Sequence, residues 1–384
     1  MTQRDSLKVL LVEDSATVAA YVSSVLATEP SIHLLPVATT ARAGVRSAIH
    51  DLPHVVLMDM KLPDHDGIWA INEIMATSPC PIVVLSGHLS SRERDITFES
   101  LRAGAVEVLA KPTGIEPSVR NAFRENLIST IRLMASAVVV RRRRPVAPLS
   151  APPSRLSQES VYVLRTKELA PVEHVLIGAS TGGPELLSKI LAALSPPLPF
   201  SLTITQHTLE GFDESLAQWL SCTGHRVVVA QAGMFAAAGT VLLAPADRHM
   251  EITPSGVQLS PMTRRGGIES VDATFSSFAK HLGKHCMGIL LTGMGRDGAR
   301  GMSELHEKGA LTIAQAAQTC VVPNMPDSAR ASGAVRHTMT PDEIIGALHQ
   351  LTLLRKQEDS SEGALVSSSR AQDETTMAPS RGGR

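Results

Sequence analysis

The chain has 384 residues, of which 43% are hydrophobic and 3% aromatic, and its 36 Lys and Arg residues nearly balance its 37 Asp and Glu residues. This length suits two domains with a linker, because single domains usually hold about 100 to 200 residues. The near-neutral charge gives no indication of a nucleic-acid partner, and four widely separated cysteines predict neither a disulfide framework nor a zinc site.

Hydropathy gives no indication of a membrane segment. No apolar run approaches the ~18 residues that a membrane-spanning helix requires. The first apolar stretch, Val9 to Val12, lies between Lys8 and Glu13 and is too short for a signal sequence. We therefore expect a cytoplasmic protein without membrane insertion.

The first 130 residues alternate short aliphatic runs with amphipathic stretches. Runs near residues 9–12, 32–37, 55–58, 82–85 and 106–109 predict five strands with helices between them. Strands that alternate with helices indicate an α/β fold with a doubly wound parallel sheet. In such folds, ligands bind outside the carboxyl ends of the strands.

Polar residues follow four of these predicted strands. Glu13 and Asp14 follow the first strand, Asp59 the third, Ser86 the fourth and Lys111 the fifth. Carboxylates that converge at one sheet edge repel each other unless a cation lies among them, and Mg2+ prefers oxygen ligands. We predict that Asp14 and Asp59 bind Mg2+ and that Asp59 accepts a phosphoryl group. Lys111 and Ser86 would then stabilise that group.

This set of residues resembles the response-regulator receiver family, over about residues 7–130. The resemblance implies that a partner histidine kinase phosphorylates Asp59. One position departs from the family pattern, because Val108 stands where the family usually has an aromatic switch residue, three positions before the lysine. The phosphorylation chemistry is unaffected, but an aromatic rotamer change cannot carry the signal here.

Composition changes after the predicted receiver domain of residues 1–130. Residues 131–170 contain Arg141 to Arg144 and then four prolines among Ser and Ala, which is typical of a linker. The four arginines would also suit an acidic membrane or nucleic acid, although a solvated linker is the better interpretation. Residues 171–355 form a second predicted domain, and the Ser- and Glu-rich residues 356–384 are predicted to be a disordered tail.

The second domain also alternates strands and helices, so the predicted fold class is α/β with two doubly wound parallel-sheet domains. Its first strand, Val175 to Ile177, continues into Gly178-Ala179-Ser180-Thr181-Gly182-Gly183. A serine at a strand-to-helix turn can present an oriented hydroxyl beside backbone N–H groups. Ser180 is therefore a candidate nucleophile.

A base and an orienting carboxylate are available at other predicted strand ends. His207 follows the strand that ends near Thr205, and Asp297 lies in a glycine-rich turn after the strand near Ile289. One parallel sheet can bring such residues together into a Ser-His-Asp arrangement, with backbone N–H groups near Thr181 and Met294 binding the oxyanion. Any chain contains Ser, His and Asp, and this order differs from that of α/β-hydrolases, so the glycine-rich turns are the stronger support.

These turns resemble motifs of the chemotaxis methylesterase family, the CheB type, which joins a receiver to a protein-glutamate methylesterase. The matching segments are residues 178–183, 206–207, 244–249, 270–272, 292–298 and 320–326. The resemblance covers nearly the whole chain apart from linker and tail. It implies that Ser180 is the nucleophile, His207 the base and Asp297 its orienting group, with Thr181 and Met294 in the oxyanion hole.

The resemblance also implies the substrates, partners and regulation. The family hydrolyses glutamate methyl esters on chemoreceptor helices, and many members deamidate receptor glutamines, which gives receptor adaptation in a two-component chemosensory pathway. We expect a chemosensory histidine kinase as phosphodonor, Mg2+ for receiver phosphorylation and no cofactor for ester hydrolysis. Phosphorylation is expected to shift the receiver away from the Ser180 cleft. Glu269 departs from the family pattern and is expected near that cleft, where it would alter which anionic receptor segments are accepted.

Two other classes of function are compatible with parts of the sequence. A nucleotide-dependent oxidoreductase uses a glycine-rich turn for pyrophosphate, but the glycine spacing at 178–183 does not fit that fingerprint or a P-loop. A receiver can also control a DNA-binding domain. However, residues 171–355 hold 13 Lys and Arg against 15 Asp and Glu, with no basic recognition helix.

Overall fold

The structure is a computed structural model that describes residues 6–87, 98–112, 116–135, 137, 164–262 and 269–375. These residues form two parallel sheets with helices packed against them, which confirms the predicted α/β class. None of the described helices combines the length and the apolar character needed to cross a bilayer. Most of the predicted linker, including Arg141 to Arg144, lies outside the described residues.

The first sheet has five parallel strands in the order β2-β1-β3-β4-β5. The strands are β1 (Leu7–Val12), β2 (Ile32–Leu34), β3 (Val55–Asp59), β4 (Ile82–Ser86) and β5 (Glu107–Ala110). The helices are α1 (Ala16–Leu26), α2 (Ala41–Asp51), α3 (Gly67–Thr77) and α4 (Pro117–Met134), and residues 98–103 are also helical. The central strands are buried over nearly their whole length, because helices cover both faces of a parallel sheet.

Side-chain caps fix where the first three helices begin. Ser15 accepts a hydrogen bond from the backbone of α1, Thr40 from that of α2 and Asp66 from that of α3. Each cap satisfies an N–H group that lacks a partner within its own helix. Because α1 and α3 begin shortly after β1 and β3, these caps also hold the loops that carry the acidic residues.

The second sheet has seven parallel strands in the order β14-β13-β12-β6-β7-β9-β8. The strands are β6 (His174–Ala179), β7 (Ser201–Gln206), β8 (Arg226–Val229), β9 (Thr240–Leu243), β12 (Cys286–Leu290), β13 (Leu311–Gln315) and β14 (His337–Met339). The helices are α5 (Thr166–Leu169), α6 (Gly183–Ala193), α7 (Asp213–Ser221), α8 (Ser270–His281), α9 (Ala299–Glu307), α10 (Asn324–Ala331) and α11 (Pro341–Thr375). Strands β12, β6 and β7 are neighbours, so their carboxyl ends meet at one edge.

The structure adds elements that the sequence pattern does not predict. Strands β10 (Arg248–Thr253) and β11 (Gly256–Pro261) form an antiparallel hairpin separate from the main sheet. Gly256 adopts φ +105° at the start of β11, a conformation that glycine adopts without strain. The hairpin strands alternate buried and exposed residues, which is a weaker signal than a continuous apolar run.

Helix α11 overlaps the first part of the predicted tail. The prediction places disorder from residue 356, whereas the helix that begins at Pro341 continues through Thr375. Residues 356–375 contain no proline and one glycine, so nothing in the sequence interrupts the helix. The predicted disorder of residues 356–384 therefore stays a prediction, and residues 376–384 lie outside the described part of the chain.

The two sheets belong to units that pack against each other. Phe98, beside the first sheet, lies with its ring centroid 5.5 Å from that of Phe212 and 6.1 Å from that of Trp219. On the other side of the contact, Val322 joins the apolar cluster that includes Phe123 of α4. The contact is thus made by buried apolar side chains, which are removed from water when the units meet.

Candidate active site

Ser180 lies at the turn between β6 and α6. Its backbone N–H donates to the Thr292 carbonyl at 3.0 Å, and its carbonyl accepts from the Gly183 N–H at 2.8 Å. Gly182 has φ +78°, so the turn requires a residue that tolerates the left-handed region. These bonds hold the serine at the carboxyl end of the sheet, where the sequence predicts it.

His207 and Asp297 form a direct pair. His207 Nε2 lies 2.6 Å from Asp297 Oδ2, and both side chains are largely buried. Asp297 also accepts bonds from the backbone N–H groups of Val271, at 2.9 Å, and Asp272, at 2.8 Å. A carboxylate that accepts from two N–H groups has no proton to donate, so it also acts as acceptor towards His207. The proton of the neutral imidazole therefore lies on Nε2, and Nδ1 is the basic nitrogen.

The N-terminus of α8 supports the negative charge of Asp297. Val271 and Asp272 occupy the first turn of this helix, whose N–H groups have no partner within the helix. The helix macrodipole also favours an anion at this end. The sequence motif at 270–272 therefore supplies backbone donors to the carboxylate.

One cavity of about 350 Å³ joins the predicted catalytic residues. Its lining includes Ser180, Thr181, His207, Met294 and Asp297. Within the described residues, no hydrogen bond joins the Ser180 hydroxyl to His207, as is common in enzyme structures without substrate. In the same part of the chain, the backbone N–H groups of Thr181 and Met294 make no hydrogen bond, so both are available to an oxyanion.

The receiver unit forms the other wall of this cavity. Phe98, Leu101 and the β5 region contribute lining residues, and Ser180 has only 8% of its surface exposed. Glu107, at the start of β5, accepts a hydrogen bond from the Thr181 hydroxyl. In this arrangement the receiver therefore covers the candidate nucleophile.

Two residues at the site are absent from the sequence-based predictions. The Gln206 side chain donates from Nε2 to the Ser180 carbonyl at 2.9 Å and to the His207 carbonyl at 2.8 Å, joining the ends of β6 and β7. The position of Gln206 directly before His207, in the matching segment 206–207, is a sequence signal for this positioning role. Glu107 gives no such signal, because its contact with Thr181 depends on how the two units pack.

The predicted receiver site forms at the carboxyl edge of the first sheet. Lys111 Nζ lies 2.7 Å from Glu13 Oε2 and 3.0 Å from Asp59 Oδ1. Asp59, Ser86 and Lys111 line a cavity of about 480 Å³. Burial raises the pKa of Glu13, as does the nearby charge of Asp59, and Lys111 opposes both effects.

The acidic residues at this edge fit a divalent cation. Oxygen atoms of Glu13, Asp14 and Asp59 all lie within 4.8 Å of one another. Three carboxylate oxygens at this separation suit a hard ion such as Mg2+. Glu13 joins the predicted pair of ligands, Asp14 and Asp59, although its carboxylate is also bound by Lys111.

Two departures from the family pattern have definite places in the structure. Val108 is buried in β5 and lines the cavity between the units. Glu269 is not among the residues that line that cavity, and its expected position near the cleft stays a prediction. Its carboxylate lies 3.4 Å from Nη2 of Arg300, which is on helix α9.

Comparisons with known proteins agree with this architecture. The CheB methylesterase family model matches residues 175–348, and the response regulator receiver domain model matches residues 9–120. A protein-glutamate methylesterase/protein-glutamine glutaminase of Geobacter metallireducens is 37% identical over 355 residues, covering 90% of this chain and 99% of the relative. A protein of the same name from Nitrosospira multiformis is 34% identical, covering 91% and 98%.

Among solved structures, the CheB methylesterase catalytic domain of Thermotoga maritima is 31% identical with a TM-score of 0.44, covering 48% of this chain and 98% of that domain. The identity to the full-length relatives extends through both units of this chain. The chain therefore belongs to the CheB methylesterase family of response regulators.

Proposed function

We propose that this protein hydrolyses methyl esters of glutamate side chains on chemoreceptor cytoplasmic helices and deamidates specific glutamines there. The observation that carries this proposal is the cavity that holds Ser180 beside the His207–Asp297 pair. The relatives named protein-glutamate methylesterase/protein-glutamine glutaminase support glutamate methyl esters and glutamines of a protein as the substrates. Such a protein acts in the cytoplasm, in receptor adaptation controlled by a chemosensory histidine kinase.

The first half of the reaction forms an acyl-enzyme. Ser180 Oγ attacks the ester carbonyl carbon while His207 Nδ1 takes the hydroxyl proton. The carbonyl oxygen becomes an oxyanion, which the N–H groups of Thr181 and Met294 stabilise. The C–O bond to the methoxy group then breaks, and His207 returns its proton to the leaving methanol. Asp297 keeps the imidazole in the required tautomer through its bond to Nε2.

The second half regenerates the serine. Water attacks the acyl carbon, gives a proton to His207 and releases the glutamate side chain, and Ser180 recovers its proton. With a glutamine substrate the same steps release ammonia in place of methanol. No step requires a metal or an organic cofactor, because the side chains and backbone amides supply the base and the oxyanion stabilisation.

The receiver is proposed to control access to this site. Phosphorylation of Asp59 would shift the population from the covered arrangement towards one in which Ser180 is open. Lys111 and the Ser86 hydroxyl would bind the phosphoryl oxygens. Asp14, Asp59 and Glu13 would hold Mg2+, which neutralises charge during phosphoryl transfer.

Methanol release from a methylated receptor fragment tests the enzymatic part of the proposal. The full chain should release methanol faster with a small-molecule phosphodonor than without it. Ser180→Ala should lower the rate of methanol release by a factor of at least about 1000, because loss of a triad member leaves only residual catalysis. Release at the wild-type rate by Ser180→Ala would refute the assignment of the nucleophile.

A separate variant tests the control by phosphorylation. Asp59→Asn keeps the size of the side chain but cannot form an acyl phosphate. Its methanol release should stay at the low rate of the untreated wild type when phosphodonor is added. Full stimulation of Asp59→Asn would refute control through this residue while leaving the hydrolytic mechanism intact.

A further inference from the structure

The receiver places a glutamate side chain against the turn that carries the candidate nucleophile. Glu107 Oε2 accepts from the hydroxyl of Thr181, the residue next to Ser180. Its other oxygen, Oε1, accepts from the backbone N–H of Val108 at 3.1 Å. Both carboxyl oxygens are therefore held, and the side chain has a defined position in the cavity.

The chemistry of this contact matches the product of the proposed reaction. Among the described receiver residues that line the cavity, Glu107 is the one with a charged side chain. The other receiver residues on this wall include Phe98, Leu101 and Leu109, which contribute apolar surface. A carboxyl group at the end of a two-carbon side chain is also what ester hydrolysis leaves on a receptor helix.

The Thr181 hydroxyl is well placed to bind either carboxyl group. Thr181 is 5% exposed and follows the nucleophile directly, so a group bound to its side chain lies beside Ser180. A buried hydroxyl costs free energy unless it has a hydrogen-bond partner. In the covered arrangement Glu107 is that partner, and once the receiver moves away the substrate side chain can replace it.

We propose that Glu107 is an intramolecular product mimic: it occupies the Thr181 subsite that binds the glutamyl group of the receptor. This inference rests on the proposed function and adds a substrate-recognition role for the Thr181 side chain. The receiver then inhibits by competing for a specific polar contact as well as by covering the cavity. Loss of the Glu107 carboxyl should weaken the covered arrangement without affecting the chemical step.

The test measures binding of a demethylated receptor cytoplasmic fragment to the full-length chain without phosphodonor. Glu107→Met keeps the length of the side chain and removes its carboxyl, and Glu107→Gln keeps one acceptor oxygen. Glu125→Gln is the matched control, because it removes a charge from an exposed position of the same receiver. Each affinity is measured again with beryllium fluoride, which mimics the phosphoryl group.

Without the phosphoryl mimic, Glu107→Met should bind the fragment about threefold to tenfold more tightly than wild type, the change expected from one hydrogen bond. Glu107→Gln should show a smaller gain, and Glu125→Gln none. With beryllium fluoride, wild type and Glu107→Met should bind equally. Equal affinity of wild type and Glu107→Met without the mimic would overturn the proposal.

Thr181→Val distinguishes product mimicry from a contact that only holds the receiver over the cavity. If the hydroxyl binds the product, this variant should bind the fragment about threefold to tenfold more weakly than wild type in the presence of beryllium fluoride. If Glu107 only holds the receiver over the cavity, Thr181→Val and wild type should bind the fragment with equal affinity, and the product-mimic assignment fails. Binding requires no turnover, so these outcomes are independent of whether methanol is released in the assay of the proposed function.

Discussion

Asp297→Asn should impair catalysis through the proton on His207. The carboxylate accepts from His207 Nε2 and the Val271 N–H at Oδ2, and from the Asp272 N–H at Oδ1. An asparagine side chain has only one acceptor oxygen. If that oxygen remains on Asp272, the NH2 group faces both the Val271 N–H and Nε2. His207 must then accept at Nε2 and carry its proton on Nδ1, where it cannot take the proton of Ser180.

The opposite orientation of the amide would keep the imidazole tautomer, but it moves the missing acceptor from Val271 to Asp272. With the oxygen on Val271 and His207, the NH2 group faces the N–H of Asp272 and leaves it without an acceptor. A buried donor without a partner costs about 1–3 kcal/mol of stability. The wrong imidazole tautomer typically lowers the turnover rate about 10⁴-fold in serine hydrolases. For the orientation that keeps the bond to Asp272, we therefore expect a kcat loss of about 10³- to 10⁴-fold with little change in KM.

The assay is methanol release by the phosphorylated full chain, with kcat and KM determined separately and unfolding followed by urea titration. Asp272→Asn is the matched control: Asp272 Oδ1 accepts from the Gly301 N–H at 2.7 Å, a bond that an asparagine oxygen can keep. Burial raises the pKa of Asp272, so replacing its carboxyl with a neutral amide should cost little. A kcat for Asp297→Asn within threefold of the control would refute the tautomer argument.

Three further changes test other contacts of the site. Gly293→Ala would place a methyl group 2.8 Å from Ser180 Cβ. It should therefore lower the free energy of unfolding by about 1–3 kcal/mol and also lower kcat. An unchanged midpoint of urea unfolding would contradict this close packing. Gln206→Met removes the hydrogen bonds from Nε2 to the Ser180 and His207 carbonyls. It should lower kcat about tenfold and leave KM unchanged. A change in KM alone would argue against a positioning role for Gln206. Burial raises the pKa of Glu107 above its ordinary 4.5, so its contribution to the covered arrangement is complete below pH 4.5 and is lost as pH rises through the raised value. The ratio of unphosphorylated methanol release by Glu107→Met to that by wild type should therefore fall as pH rises, and a constant ratio would contradict it.

Much of the fold follows from patterns that the sequence displays directly. Continuous apolar runs such as Val55 to Met58 are buried on both faces, so they identify central parallel strands. Polar residues at the ends of those runs meet at one sheet edge for a topological reason, which is why Asp59 and Lys111 could be paired from sequence. The same reasoning brings His207 to Asp297 across 90 residues.

Features that depend on how elements pack are less accessible from sequence. The hairpin of residues 248–261 alternates polar and apolar residues and has no long apolar run. Gln206 could be recognised as part of a motif, but its bond to the Ser180 carbonyl requires the register of β6 against β7. The role of Glu107 is harder still to predict, because its partner Thr181 lies in a turn of the other unit and no periodicity relates the two residues.

Strand β5 lies between the two sites and has a contact with one of them near each of its ends. At its start Glu107 contacts Thr181, and immediately after its end Lys111 contacts Asp59. Three residues lie between Glu107 and Lys111, and a strand rises only ~3.3 Å per residue, so the two contacts are close together along the chain. A phosphoryl group on Asp59 would compete for the Lys111 ammonium and thus pull on the end of β5. Because Val108 has no aromatic ring to rotate, displacement of the strand itself, with Glu107 at its other end, would give a physical connection between the two sites.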